Sequence, residues 1–416
     1  MEPVPPGERP TNHLVCSMLT DVYQITMVYA LWKAGRVNDS AVFDAFFRQN
    51  PFKGEFTVFA GLEEALKFIS SWGFTPEQIA YLRATVIPHA EAEFWEYLGS
   101  LDTTGVRVFA AAEGTIVFPR EPLLRVEGPL AVCQLLETTL LNLLNFASLV
   151  ATNAARFRLA AGPKKTLIEF GLRRAQGPDG AHSASRYAYM GGFDGTSNVA
   201  AAMAYGIAPM GTHAHSFVSA FVGPEDLSTN MLDGSDLLGA ALNFRRELNF
   251  GMSSIGELTA FVAYAQAFPQ RFLALVDTYD TLSSGIPNFI CVALALRSKG
   301  YAALGVRLDS GDLAYLSKEA RRMMREVDEH CGSNLATTCT ITASNDLNEA
   351  VLLSLADQGH EIDAFGVGTN LVTCQAQPAL GMVYKLVELD GVPRIKLSND
   401  VGKLTIPGAK GTMRSG

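Results

Sequence analysis

Charge is scarce in this 416-residue chain: Asp, Glu, Lys and Arg supply 18 % of it, and 42 acids against 33 bases leave a net charge of −9. A field of that sign argues against general binding to nucleic acid or anionic membrane, so any phosphate must be gripped locally. Cysteine is sparse too. The six, at positions 16, 133, 291, 331, 339 and 374, form no C-x-x-C pair and no Cys/His cluster at ligand spacing. A disulfide framework and a zinc site are thereby excluded, and buried thiols in a reducing compartment are expected. Long apolar runs are missing. The most apolar stretch, Leu135 to Phe157, is broken by Glu137, Asn142, Asn145 and Asn153, short of the roughly 18 uninterrupted residues of a membrane span. The first ten residues carry acids and prolines where a signal peptide needs a basic patch and an apolar run. Residues 1–13 therefore read as a disordered tail on a cytoplasmic protein.

What is present is an ordinary globular composition, 48 % hydrophobic, with length for about two or three folding units. Thr20 reads as the cap of a helix that Gly35 stops, and Thr75-Pro76-Glu77-Gln78 has the pattern of a capping box. Between Val106 and Val126, short β-branched segments bounded by Gly and Pro read as strands. One long helical pattern then runs from Pro129 to Ala161.

Beyond Gly162 a different unit repeats: an apolar run, a polar turn, then an amphipathic helix. The runs are 165–170, 272–276, 302–307, 338–342 and 362–367, several about 30 residues apart. That spacing predicts strand-plus-helix units in a parallel sheet, more of them than an open sheet favours, and hence an α/β barrel. The Gly-, Pro-, Asp- and Ser-containing stretch 223–256 reads as an inserted loop region. Domains are expected at 14–161 (mixed α/β with the long connecting helix), 162–384 (barrel) and 385–416 (a return to the smaller domain).

In a barrel the chemistry collects where strands end, and these runs end in polar residues. Gly366-Val-Gly-Thr-Asn370 is either a phosphate loop or an ordinary glycine turn. In Arg307-Leu-Asp-Ser-Gly-Asp312, the Arg and the Asp two apart share a strand face, one suited to an anion and the other to a sugar hydroxyl or a metal ion. A structural ion pair at the rim is the alternative. Gly211-Thr-His-Ala-His-Ser-Phe217 offers an i, i+2 histidine pair that would point one way on an extended segment, with metal ligation, nucleophilic or base chemistry, or plain hydrogen bonding all open. Arg173 and Arg174 beside a glycine-rich turn either clamp an anion or face solvent. Tyr23 and Tyr29 read most simply as core or interface aromatics. The residues alone thus define an α/β-barrel enzyme for an anionic, phosphorylated substrate without naming its reaction.

Eight segments in order resemble nicotinate phosphoribosyltransferase: 19–24, 149–156, Gly171-Leu-Arg-Arg-Ala-Gln-Gly-Pro-Asp-Gly180, Gly191-Gly-Phe-Asp194, Gly211 to Phe217, Gly305 to Asp312, Gly366-Val-Gly-Thr369 and Val383-Tyr-Lys-Leu386. The resemblance implies a type II phosphoribosyltransferase: an irregular (β/α) barrel with a smaller mixed α+β domain, working as a homodimer. It implies joining nicotinate to 5-phosphoribosyl 1-diphosphate (PRPP), the first step of NAD synthesis from nicotinate. ATP hydrolysis would be coupled through a phosphohistidine, with Mg²⁺ (or Mn²⁺) present and its ligands unknown. Residue by residue, it makes His215 the phosphorylated histidine. Tyr23, Thr212 and Arg307 would contact nicotinate, Thr369 with Gly368 would contact PRPP, and Phe170 and Arg173 would line the pocket. Asp309 would hold the ribose hydroxyls. Family members continue well past the point where this sequence stops, so part of the smaller domain is expected to be missing. A nicotinamide phosphoribosyltransferase and an inactive truncated paralogue that binds full-length subunits are the rival readings.

Overall fold

The computed structural model describes residues 9–397 and 405–410, in two compact units: one from 1–155 with 374–416, the other from 156–373. The strands of the two main sheets, apart from the two-residue edge Val392–Pro393, are in chain order β1 Ser40–Phe47, β2 Arg107–Ala110, β3 Leu124–Pro129, β4 Thr166–Glu169, β5 Gly195–Thr196, β6 Leu273–Leu275, β7 Gly305–Leu308, β8 Thr340–Ser344, β9 Ala364–Val367 and β10 Met382–Leu389. No described helix is long and apolar enough to cross a membrane, and all six cysteines are free thiols, four of them buried.

The first unit is built on an antiparallel sheet in the order Val392–Pro393, β10, β1, β3, β2. Strand β1 reads Ser-Ala-Val-Phe-Asp-Ala-Phe-Phe, and every residue after Ser40 is buried, the expected state of a central strand rich in aromatic and branched side chains. Its single charge, Asp44, is neutralised by Arg125 of β3 at 3.1 Å and Lys410 at 2.6 Å. The capping box at Thr75 and Gln78 is present and opens the helix Pro76–Thr85. The first helix, however, spans Val22–Lys33 with Asp21 at its cap, and the Thr20 hydroxyl is buried without a hydrogen-bond partner. The long pattern after Pro129 divides at Leu136 into Leu130–Leu135 and Glu137–Ala161. Of the expected disordered tail, 1–8 lie outside the described residues, whereas Thr11 is tied through its N–H and hydroxyl to the Glu64 carboxylate, both at 2.8 Å. The expected C-terminal return includes β10, which pairs with β1; 398–404 and 411–416 lie outside the described residues.

The second unit holds the six-stranded parallel sheet, in the order β6-β7-β8-β9-β4-β5. All five apolar runs become strands, and their continuous burial reflects a sheet covered on both faces. The irregularity of the barrel lies between β5 and β6. There Pro209 makes an isolated parallel bridge to Thr196, and His213 reaches the backbone of Leu275, so a short extended segment occupies the gap. The stretch 223–256 is no simple loop. It carries a two-stranded ribbon, Met231–Leu232 with Ser235–Asp236, and a helix, Leu237–Glu247, capped by the Asp236 side chain. The apolar positions Leu237, Leu238 and Ala241 are buried on one face of that helix, a periodicity that the surrounding turn residues obscure.

Candidate active site

Strand ends in the second unit bring together most of the residues singled out above. Arg307, on β7, is the hub. Its Nε donates to Ser344 Oγ at 2.8 Å, Nη1 to Thr212 Oγ1 at 3.3 Å and Nη2 to Asp309 Oδ1 at 3.0 Å. The guanidinium carbon lies 5.0 Å from the centroid of the Phe170 ring, within cation–π range. With its side chain 14 % exposed, Arg307 is largely withdrawn from solvent, and the ion pair with Asp309 that the spacing allowed is made. Burial pushes the Asp309 carboxyl up, but the Ser344 hydroxyl and the Arg307 guanidinium outweigh it and hold it below the ordinary value.

The two histidines part company. His213 is buried, its Nε2 accepts from the Leu275 N–H at 3.2 Å, and its Nδ1 has no partner. Burial drives its pKa down to about 4, so it is a neutral ring fixed among Phe217, Phe261 and Tyr264. His215 begins a short helical turn and is half-exposed. Its Nδ1 meets Thr278 Oγ1 at 3.2 Å, while Nε2 stands 3.6 Å from Asp309 Oδ2 and 3.9 Å from Asp277 Oδ1. His213 thus has one ring nitrogen committed to the backbone, while His215 faces two carboxylates. Among the described residues no group of three or more His, Cys, Asp or Glu is arranged to hold a metal ion.

Phe170 owes its place to its neighbours. Glu169, buried at the end of β4, accepts from the Gly171 N–H and from the hydroxyls of Ser185 and Thr196 at 2.8 and 2.5 Å, which pins the turn after Phe170. On the other side Gly366 leaves room for the ring: a Cβ there would lie 2.3 Å from Phe170 Cδ2. Gly366 is thus a residue of β9 that accommodates an aromatic ring, and the turn proper begins at Gly368, followed by the helical turn Thr369–Thr373. Arg173 stands exposed on the single turn Leu172–Arg174. Tyr23 is on the first helix of the other unit, 46 % exposed.

A family model for the nicotinate phosphoribosyltransferase (NAPRTase) N-terminal domain matches residues 18–145, and one for the nicotinate phosphoribosyltransferase (NAPRTase) family matches 166–412. The chain belongs to the nicotinate phosphoribosyltransferase family. It is 57 % identical over 411 residues to the Dictyostelium discoideum nicotinate phosphoribosyltransferase, covering 98 % of this chain and 70 % of that protein. It is 53 % identical over 420 residues to nicotinate phosphoribosyltransferase 1 of Arabidopsis thaliana, covering 97 % and 75 %. The crystal structure of human nicotinic acid phosphoribosyltransferase superposes with a TM-score of 0.84 at 44 % identity, covering 94 % of this chain and 77 % of that one.

Within this nicotinate phosphoribosyltransferase fold, Asp277 and Ser344 are polar strand endings to which sequence reasoning gave no role. Asp277 ends the β6 run, accepts from Ser310 Oγ at 2.5 Å and has a buried Oδ1 with no hydrogen-bond partner on the side of His215. The signal was available, since Asp277 and Ser344 both follow apolar runs, but nothing in spacing alone distinguishes a site carboxylate from a helix cap such as Asp312, which accepts from the Tyr315 N–H.

Proposed function

We propose that the chain transfers the phosphoribosyl group of PRPP to nicotinate, giving nicotinate mononucleotide and pyrophosphate as the entry step to NAD, and that ATP hydrolysis drives it as in a ligase. The observation that carries this reading is Arg307, a half-buried guanidinium seated on the Phe170 ring. Nicotinate is a flat anion, so a guanidinium for its carboxylate and an aromatic face for its ring are the matching pair. Tyr23 is the second aromatic in this reading, and Thr212, bonded to Arg307, stands beside the carboxylate.

Displacing pyrophosphate at the ribose C1 builds positive charge on the sugar and negative charge on the leaving group. Asp309, kept ionised by Ser344 and Arg307, holds the ribose hydroxyls and faces the developing positive charge. The backbone at Gly368 and the Thr369 hydroxyl take phosphate oxygens, with Arg173 at the pocket mouth. His215 is the phosphoryl acceptor: in the tautomer with its proton on Nδ1, beside Thr278 Oγ1 at 3.2 Å, the Nε2 lone pair attacks the γ-phosphorus of ATP while ADP departs with the bonding electrons. Asp277, with its buried and unpartnered Oδ1, is the carboxylate that would offer an oxygen to Mg²⁺. Bound Mg²⁺ would neutralise the departing charge. The working unit is proposed to be a cytoplasmic homodimer.

The test is product formation from PRPP with nicotinate or nicotinamide, with and without ATP. Nicotinate mononucleotide formed faster with ATP is the expected result. Faster turnover of nicotinamide would refute the substrate assignment, and a folded chain that turns over neither base would refute the activity.

A further inference from the structure

We infer that Ser344 is a positioning residue that decides which edge of Arg307 meets the substrate. This rests on the reading in which Arg307 binds the nicotinate carboxylate. Three hydrogen bonds close a ring: Arg307 Nε donates to Ser344 Oγ at 2.8 Å, Arg307 Nη2 donates to Asp309 Oδ1 at 3.0 Å, and the Ser344 hydroxyl donates to that same carboxylate oxygen. A guanidinium has five N–H donors. The ring consumes the Nε and one Nη2 donor, the side-on edge, and Thr212 takes one from Nη1 at the longer distance of 3.3 Å. One hydrogen remains on each terminal nitrogen, the pair that grips a carboxylate end-on. Without the Ser344 hydroxyl the side-on edge is free to compete, and the guanidinium can turn on the Phe170 face.

The backbone supports a built arrangement. Ser344 is the last residue of β8 and is 3 % exposed. The next two residues, Asn345 and Asp346, both have positive φ, 110° and 46°. Consecutive non-glycine residues in that region are strained, and such strain concentrates at functional sites. The turn ends the strand abruptly, leaving Ser344 buried against Arg307 and Asp309.

Nicotinate binding by calorimetry, KM values and thermal melting should be compared in the full chain, in Ser344→Ala, Ser344→Thr and Arg307→Lys, and in Arg307→Lys with Ser344→Ala. Ser344→Ala is expected to weaken nicotinate binding about tenfold and to move the PRPP KM less, whereas Ser344→Thr, which keeps the hydroxyl, stays within about threefold. In the Arg307→Lys background Ser344→Ala should add less than about twofold, because a lysine has no edge to present. Unchanged nicotinate binding in Ser344→Ala, an equal loss in both backgrounds, or a Ser344→Thr as weak as alanine would overturn the inference. Absence of nicotinate binding by the unaltered chain would instead refute the substrate assignment and the inference with it.

Discussion

Replacing Gly366 with alanine should damage nicotinate binding and leave the phosphate end of the site nearly untouched. Gly366 lies in β9 with no unusual backbone angle, so the added methyl acts only through what it meets. It would lie 2.3 Å from Cδ2 and 2.4 Å from Cε2 of Phe170, where carbon atoms prefer about 3.5–4.0 Å. The ring must withdraw by more than about 1 Å, and it is the ring on which Arg307 sits at 5.0 Å. Overpacking of this kind costs about 1–3 kcal/mol of stability, and the lost cation–π seat is worth about 0.5–2 kcal/mol. A loss of about 1–2 kcal/mol in nicotinate affinity is roughly 5- to 30-fold. Calorimetric titration with nicotinate, PRPP kinetics and a thermal melt together read these effects, the melt falling by about 2–4 °C for each kcal/mol in a unit of this size. A raised PRPP KM with unchanged nicotinate affinity would refute the reasoning and return Gly366 to a phosphate loop.

Arg307→Ala should weaken nicotinate binding by about 2–5 kcal/mol, roughly 30-fold or more, and PRPP binding less, as direct titration would show. His215→Ala should abolish label transfer from γ-labelled ATP to the protein and uncouple ATP hydrolysis from product formation, while His213→Gln keeps the label. Stability should also fall on acidification because of His213. Its folded pKa of about 4 lies below the ordinary value of 6.5, so the unfolded chain binds the extra proton between those pH values. Stability present above pH 6.5 is then lost as pH drops toward 4, by on the order of 3 kcal/mol. Melting curves of His213→Gln, whose side-chain oxygen can still accept from Leu275, should show a shallower decline across that window.

The parallel sheet was legible because its strands are unbroken apolar runs at regular spacing, a pattern that burial on both faces imposes. Arg307 and Asp309 were legible as a pair because alternate residues of an extended segment share a face, and the contact between them is direct. By spacing alone His213 and His215 were not separable, because the same rule fails where an extended segment turns into a helix at His215. Gly366 stayed open between a phosphate loop and a glycine turn for a related reason: the sequence shows that a glycine follows an apolar run, while the ring it makes room for comes from Phe170, almost 200 residues earlier. The helix within 223–256 was hidden by turn residues on both sides. Leu136, where the long helix divides, has no breaker residue to announce it.

The pairing of β1 with β10 has a consequence for how the protein is made. Residues 41–47 find partners only in 382–389 on one edge, so a ribosome adding about 5–20 residues per second needs roughly 17–67 s to supply them. During that interval a strand that is apolar except for Ser40 and Asp44 has β3 on one side and nothing of its own to pair with on the other, while all of residues 156–373 emerge and can fold. The nascent chain therefore carries an open strand edge for most of its synthesis, a state that invites pairing with other chains. Chaperone dependence should peak at ribosome stall points before residue 382 and vanish soon after 389 has cleared the exit tunnel.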